Sequence, residues 1–257
     1  MLINHMVGHW ANAEGGIGTP TGSKYQWHFQ DPNRMRHDAI QGLVLGGGFG
    51  EGNFWPYGRA GACAKVFASS VGTTMMLSTI PLTEQTWSMR MWFKAEGLTT
   101  STELMLARFA SNDGALLDVN LVDAVAEDGR WNVQVNWQNA AGGAGGGIDL
   151  LGLEGEWSCL ALSCVGGSNV LALLDSGDAG DPQIGTSTSN VPNSSFYFRH
   201  LLDSQVDTGD ETIFVDDIMI WRRESMDQTF MEYLADGYFW NTWDSTKPLN
   251  TWQQFTL

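Results

Sequence analysis

The chain has few positive charges. Lys and Arg together number 13, whereas Asp and Glu number 29, so that the formal net charge is −16. Because the phosphate backbone of a nucleic acid repels a chain of this charge, the composition argues against nucleic-acid binding. The excess of carboxylates favours solubility, and it also fits a protein that binds cations or works at high salt.

Cysteine is also scarce: the chain has Cys63, Cys159 and Cys164. An odd and small number of cysteines does not form a disulfide framework. Cys159 and Cys164 lie in one predicted strand at an odd separation, so their side chains point to opposite faces and cannot pair within it. We expect three buried thiols, in keeping with folding in a reducing cytoplasm.

Segments that would carry the chain into a membrane are missing as well. No apolar run approaches the roughly 20 residues that span a bilayer. Residues 1–10 lack a basic segment followed by an apolar one, which is the pattern of a secretory signal. The sequence therefore predicts a protein without membrane insertion and without its own export signal.

The residues that are abundant favour an all-β domain. The chain has 31 Gly and 12 Trp, and 43% of it is hydrophobic against 16% charged, which excludes a disordered chain. In residues 131–138 large apolar side chains alternate with Asn and Gln, as in a strand with one buried and one solvated face. The predicted strands are 63–69, 74–80, 87–95, 103–109, 115–122, 131–138, 157–165, 169–174, 196–202 and 213–221. The predicted core includes Trp87, Met89, Met91, Trp131, Val133, Val135, Leu160, Leu162, Ile218 and Ile220.

Other segments are predicted as a helix and as loops. Ser225 and Gln228 have the spacing of a capping box, and Gly237 fits the position after a helix end, which predicts one short helix at 225–235. The Gly-rich stretches 46–52 and 140–147 are predicted as flexible loops.

The order of these segments resembles the laminin-G-like branch of the concanavalin A-like superfamily. The segments that carry the likeness are Leu2–Gly8, Ala64–Ala68, Met75–Ile80, Trp87–Ala95, Gly155–Trp157 and Phe214–Ile220. The resemblance implies a two-sheet antiparallel jelly-roll sandwich over residues 1–237, with a Gly- and aromatic-rich insertion at about 30–60. Residues 238–257 form an aromatic tail beyond it. The hairpin motif that the family has later in the chain is degraded at residues 174–177.

The resemblance also gives an expected function. Similar domains occur in bacteriophage structural and tail proteins, so we expect a non-catalytic capsid decoration or tail-associated lectin-like protein. It would assemble in the host cytoplasm, lie on the virion surface, and contact neighbouring virion proteins, further copies of itself, or host-surface glycans. The alternatives are a free carbohydrate-binding module and a glycan hydrolase or lyase with an unrecognised site.

No motif in the sequence predicts catalysis. Members of the superfamily that cleave glycans carry a Glu-x-Asp-x-Glu strand, which this chain lacks. Glu154 and Glu156 share a spacing of two, but they flank Gly155 at a strand entry, which predicts a solvated turn. A G-x-S-x-G nucleophile elbow is also absent.

Aromatic residues give the candidate binding sites. Phe54–Tyr57 is predicted to lie in a loop, where Trp55 and Tyr57 are candidate ligand-binding residues for a sugar or a protein partner. The other interpretation is inward packing over one end of the sandwich. The tail offers candidate assembly contacts at Trp240, Trp243, Trp252 and Phe255, because exposed aromatics need a partner surface.

Carboxylates give the candidate metal sites. Asp175, Asp178 and Asp181 lie in an oxygen-rich turn that lacks EF-hand spacing, so a polar loop is the main interpretation and calcium the alternative. Asp216 and Asp217 are adjacent in a predicted strand, which places their side chains on opposite faces. Hydrogen bonding that fixes the strand is the main interpretation for this pair, with calcium again the alternative. No other cofactor is expected.

Overall fold

The computed structural model describes residues 24–27, 29, 53–59, 61–67, 74–81, 85–97, 103–122, 130–176, 182–204, 212–223 and 225–235. These residues form fourteen strands, a short 3-10 turn at Ala140–Gly142 and helix α1 at Gln228–Ala235. The strands are β1 (Lys24–Trp27), β2 (Phe54–Gly58), β3 (Gly61–Phe67), β4 (Thr74–Pro81), β5 (Thr86–Glu96), β6 (Glu103–Ser111), β7 (Leu116–Val122), β8 (Arg130–Gln138), β9 (Gly145–Leu153), β10 (Ser158–Val165), β11 (Asn169–Asp175), β12 (Gln183–Ser187), β13 (Phe196–Ser204) and β14 (Thr212–Arg222).

The strands form two antiparallel sheets. The eight-stranded sheet has the order β12-β11-β10-β5-β14-β3-β2, with β1 also paired to β14. The six-stranded sheet has the order β4-β13-β6-β7-β8-β9. The predicted all-β jelly-roll sandwich is therefore confirmed.

The main core lies between the two sheets. All the predicted core residues are buried there, because alternate side chains of each strand point toward the facing sheet. Trp87 of β5 stacks on Phe109 of β6 with ring centroids 4.0 Å apart. Cys164 belongs to this core and Cys159 to a separate cluster on the outer face, so the prediction that they point to opposite faces is confirmed.

Helix α1 covers part of the outer face of the eight-stranded sheet. Met226, Met231 and Ala235 are buried with Trp92, Trp221 and other residues of that face in a second, smaller cluster. The helix begins at Gln228, later than the predicted start at Ser225. At this point the Met226 N–H donates a hydrogen bond to Ser163 Oγ (3.0 Å), which holds the chain against strand β10 before the helix begins.

Several predictions from the sequence lie outside the described residues. They concern the first strand at 2–8, most of the insertion at 30–60, the calcium candidates Asp178 and Asp181, and the tail with Trp240, Trp243, Trp252 and Phe255. Within the described part of the chain, no helix has the length and apolarity needed to cross a membrane.

Candidate functional site

The segment that contains Trp55 and Tyr57 is a strand, which corrects the predicted loop, and among the described strands it lies at the edge of its sheet. Strand β2 pairs with β3 through Phe54 opposite Ala64 and Trp55 opposite Cys63. Phe54 packs against the main core, and Trp55, its neighbour in the strand, therefore lies on the outer face. Pro56 is compatible with this strand because an edge strand has one side without ladder hydrogen bonds.

Tyr57 presents most of its side chain to solvent. It is 75% exposed, and within the described residues no other large hydrophobic side chain is classed as exposed. The Trp55 ring lies 5.9 Å from the Tyr57 ring at an interplanar angle of 72°, in an edge-on contact. An aromatic ring is therefore presented to solvent and supported by a second, half-buried ring.

Aromatic and lysine side chains alternate across the outer face beside Tyr57. We call this set the aromatic–lysine row; it consists of Trp55, Lys65, Phe214, Lys94 and Trp157. The row forms because Phe214 of β14 lies opposite Lys65 of β3 on one side and Lys94 of β5 on the other. The rings of Trp55 and Trp157 lie 6.3 Å and 6.5 Å from the Phe214 ring.

The lysines of the row lie over aromatic rings. The Lys65 ammonium is 4.2 Å from the Trp55 ring centroid and 5.3 Å from that of Phe214. The Lys94 ammonium is 4.7 Å from the Phe214 centroid and pairs with the Glu96 carboxylate. Each cation–π contact of this type contributes about 0.5–1 kcal/mol at an exposed site. The row thus combines apolar surface with two fixed positive charges.

A buried ion pair lies further along the same outer face. Arg90 of β5 and Asp217 of β14 pair with each other, and both are almost fully buried. Burial lowers the pKa of Arg90 to about 10, so that its guanidinium remains protonated at neutral pH. Nearby, the Arg59 guanidinium lies 4.2 Å from the Trp92 ring centroid.

The structure corrects the prediction that Asp216 and Asp217 point to opposite faces. The register between β14 and β5 shifts between Asp216 and Met219, and Asp217 has a positive φ of 43°. Asp216 lies opposite Trp92 of the outer cluster and Asp217 pairs with Arg90, so both side chains lie on the outer face. A bulge interrupts the alternation on which the prediction relied. The pairing of Asp217 with Arg90 agrees with the main interpretation, in which the aspartates fix the strand.

The opposite outer face, on the six-stranded sheet, is rich in amides. We call Asn120, Asn132, Gln134 and Asn136 the amide face; they alternate with core residues of β7 and β8, as the sequence predicted for β8. Beside them the Arg108 guanidinium donates two hydrogen bonds to Asp118, both of 2.7 Å.

Of the remaining candidate carboxylates, the structure describes Glu154, Glu156 and Asp175. Glu154 and Glu156 lie in an exposed turn, as predicted, and Glu154 accepts a hydrogen bond from the Gly97 N–H (2.7 Å). Asp175 is half-buried at the end of β11. Among the described residues no cluster of three or more His, Cys, Asp or Glu could hold a metal ion. The calcium prediction also involves Asp178 and Asp181, so it stays a prediction.

Sequence reasoning missed most of the aromatic–lysine row. It singled out Trp55 but not Lys65, Lys94, Phe214 or Trp157, because the row depends on the register of strands that are distant in the sequence. One signal was present: Lys94 has the parity of the solvated face of its predicted strand.

No family model and no curated protein sequence matches this chain. Its fold matches the binding domain of botulinum neurotoxin serotype G with a TM-score of 0.57 and 13% identity over 82% of this chain and 50% of that chain. It matches the binding domain of botulinum neurotoxin DC, in complex with SialylT, with a TM-score of 0.55 and 9% identity over 83% and 50%. It matches the binding domain of Paraclostridial Mosquitocidal Protein 1 with a TM-score of 0.52 and 13% identity over 78% and 49%.

The chain therefore spans about half the length of these solved chains. At such identities the similarity shows a shared β-sandwich fold, and a fold hosts many functions.

Proposed function

We propose that this chain is a non-catalytic, lectin-like domain that binds a saccharide on the outer face of its eight-stranded sheet. The observation that carries the proposal is the exposed Tyr57 ring, supported edge-on by Trp55. Such a ring offers a flat apolar surface to the C–H groups of a sugar, while its hydroxyl and the nearby lysines supply polar contacts. The solved structures of similar fold are named as binding domains, which agrees with this role.

The setting that we propose is the surface of a bacteriophage particle, as a capsid decoration or tail-associated protein. The segment order that resembles phage laminin-G-like domains supports this setting. Antibodies raised against the purified domain should label intact particles in electron micrographs. Particles that contain no copy of the chain by mass spectrometry would contradict it and leave a free carbohydrate-binding module.

We also propose that the domain does not cleave its ligand. Glycoside hydrolysis needs two carboxyl groups, roughly 5–10 Å apart, that face one sugar bond. Glu154 and Glu156 extend from an exposed turn, and Glu154 is already bonded to the backbone of Gly97. Turnover on a polysaccharide panel that a single carboxylate substitution abolishes would overturn this part of the proposal.

The binding site is tested by removing the exposed ring. Tyr57→Ala should weaken binding of a saccharide identified on a glycan array by about tenfold, because an aromatic anchor commonly contributes 1–2 kcal/mol or more. The melting temperature should hardly change, since most of the Tyr57 side chain is exposed. Affinity is measured by titration calorimetry and stability by circular dichroism.

The matched control is Tyr197→Ala, which removes a half-buried tyrosine from the outer face of the other sheet. This variant should bind normally. Normal binding by Tyr57→Ala together with loss of binding by Asn136→Ala would move the site to the amide face. A wild-type protein that binds no glycan on the array would refute the proposal.

A further inference from the structure

Basic residues are concentrated beside Tyr57 although the chain as a whole is acidic. Arg59, Lys65 and Lys94 are three of only 13 basic residues in a chain of net charge −16, and all three place their cations over aromatic rings of one outer face. At physiological salt the Debye length is about 8 Å, so a ligand in contact with this face experiences the local cations more than the distant carboxylates.

The two lysines of the row converge on one ring. Lys65 and Lys94 extend from the strands on either side of β14, and their ammonium nitrogens lie 5.3 Å and 4.7 Å from the Phe214 centroid. Phe214 is only 4% exposed, because its neighbours in the row lie over it. Two ammonium groups this close to one ring repel each other, and an anion bound at either one reduces that repulsion.

Carboxylates also lie on this face, where Asp217 pairs with Arg90. Glu96 pairs with Lys94 and is 44% exposed. Burial raises the pKa of the Cys63 thiol, and the fully buried Asp216 carboxylate raises it further. Glu156 is exposed in the turn before Trp157. A ligand carboxylate would therefore compete with Glu96 for Lys94.

From this arrangement we infer that the saccharide bound at this face is an acidic one, with its carboxylate at the lysines of the row and a sugar ring against Tyr57. The inference rests on the proposed function and names the class of its ligand. Charge-assisted hydrogen bonds from ammonium to carboxylate are roughly twice as strong as neutral ones. A nucleic acid is a poorer match, because its many phosphates would extend over the acidic remainder of the surface.

The first test compares acidic saccharides with their neutral derivatives. Calorimetric titrations would use an oligogalacturonate and its methyl ester, a hyaluronan oligosaccharide and its carboxyl-reduced form, and an oligosialate and its methyl ester. We expect at least one acidic member to bind about tenfold more tightly than its neutral counterpart, with an affinity that falls as salt rises.

The second test changes the charges of the row. Lys65→Met should weaken acidic binding about tenfold and flatten its salt dependence, whereas Lys65→Arg should retain both. Glu96→Gln should strengthen acidic binding, because it removes the competing carboxylate from Lys94. Arg199→Met is the matched control: Arg199 lies 4.6 Å from the Tyr197 ring centroid on the other sheet and should not affect binding.

The outcomes separate this inference from the proposed function. Equal binding of acidic and neutral members, or binding confined to neutral glycans, overturns the inference and leaves a saccharide-binding domain. An unchanged affinity in both Lys65→Met and Glu96→Gln also overturns it, provided that melting temperatures show intact folding. Absence of binding to any saccharide removes both proposals.

Discussion

Two tryptophans of strand β8 occupy space that glycines of strand β9 leave open. Trp131 lies opposite Gly152 and Trp137 opposite Gly146. A Cβ atom at either glycine would come within 2.6 Å of the facing indole ring. Both rings belong to the main core, where interiors are packed as densely as organic crystals and cannot absorb such an overlap. Glycine is therefore required here by close approach of a side chain.

Replacing Gly152 by Ala should therefore destabilise the protein by about 1–3 kcal/mol, because overpacking forces the Trp131 ring or the backbone to move. The matched control is Gly147→Ala on the same strand. Its Cβ would meet the Oδ1 atom of Asn136 at 2.8 Å, but Asn136 is exposed and can rotate away. The control should change stability by no more than about 0.5 kcal/mol. Urea unfolding measures both, and equal losses would contradict the packing explanation.

These glycines also show why the composition of residues 140–147 led to a wrong prediction. The sequence predicted a flexible loop at 140–147, yet Gly145–Gly147 begins strand β9. Glycine is depleted in strands because it brings no side chain to the packed face. In β9 the tryptophans of β8 supply that volume from the neighbouring strand, which composition alone does not reveal.

Strand β14 changes partners along its length. Its first half, Thr212–Val215, pairs with β3, and Ile218–Trp221 pairs with β1 on the same side. The bulge at Asp216 and Asp217 lies where the partner changes. An extra residue at such a point bends the strand and changes the direction of a side chain. Here the Asp217 side chain points to Arg90, and the pair is buried on the outer face of the sheet.

Arg90→Met is expected to destabilise the protein by about 3–5 kcal/mol, because it leaves the buried Asp217 carboxylate without its guanidinium partner. The double variant Arg90→Met with Asp217→Asn should recover part of the loss, because it removes the stranded charge. Asn also tolerates the positive φ of Asp217. Urea unfolding of the wild type, the single variant and the double variant measures the coupling.

Lys94→Met on the same strand serves as the control. Its side chain is 22% exposed and pairs with Glu96 near the surface, so its loss should cost at most about 1 kcal/mol. An Arg90→Met variant no less stable than Lys94→Met would show that the buried pair does not hold β14 to β5.

At the element scale the sequence predicted strands mainly from alternating apolar and polar residues. The segments 87–95 and 131–138 were found as β5 and β8; β8 has one buried and one solvated face, whereas β5 is buried on both faces. Strand β2 was missed because it contains a proline and follows a Gly-rich stretch, and both favour loops. The bulge in β14 was missed because a register shift is a property of two strands, whereas the sequence shows one at a time.

The candidate site, too, could be predicted from the sequence only in part. Trp55 and Tyr57 could be selected from the sequence because clustered aromatics near turns are candidate contacts. Their neighbours Lys65, Lys94 and Phe214 come from three further strands, and the pairing of β14 with both β3 and β5 brings them together. The positive charge of the site therefore depends on which strands pair, and that pairing is determined only by the complete fold.

The molecule as a whole has two apolar clusters of unequal size. The main core lies between the sheets, whereas the second cluster lies between the eight-stranded sheet and helix α1. Cys164 is buried in the first and Cys159 in the second, on opposite faces of the same strand β10. The reactivity of each thiol therefore measures the opening of a different interface. Burial raises the pKa of both thiols to about 12, so that neither reacts as a thiolate near pH 8 while its cover is closed.

We expect Cys159 to become reactive at a lower urea concentration than Cys164. Cys159 lies in the small cluster that helix α1 partly covers, whereas exposing Cys164 requires separation of the two sheets. Openings that break fewer apolar contacts cost less free energy.

Two variants isolate the thiols: Cys63→Ala with Cys164→Ala leaves Cys159, and Cys63→Ala with Cys159→Ala leaves Cys164. Their rates of reaction with Ellman's reagent at pH 8 would be followed against urea, beside circular dichroism of the strands. If both rates rise with the same urea dependence as the loss of β-structure, the outer layer and the sandwich unfold as one unit and the prediction is wrong. An earlier rise for Cys159 alone would show that helix α1 opens while the sandwich, and with it the aromatic–lysine row, remains folded.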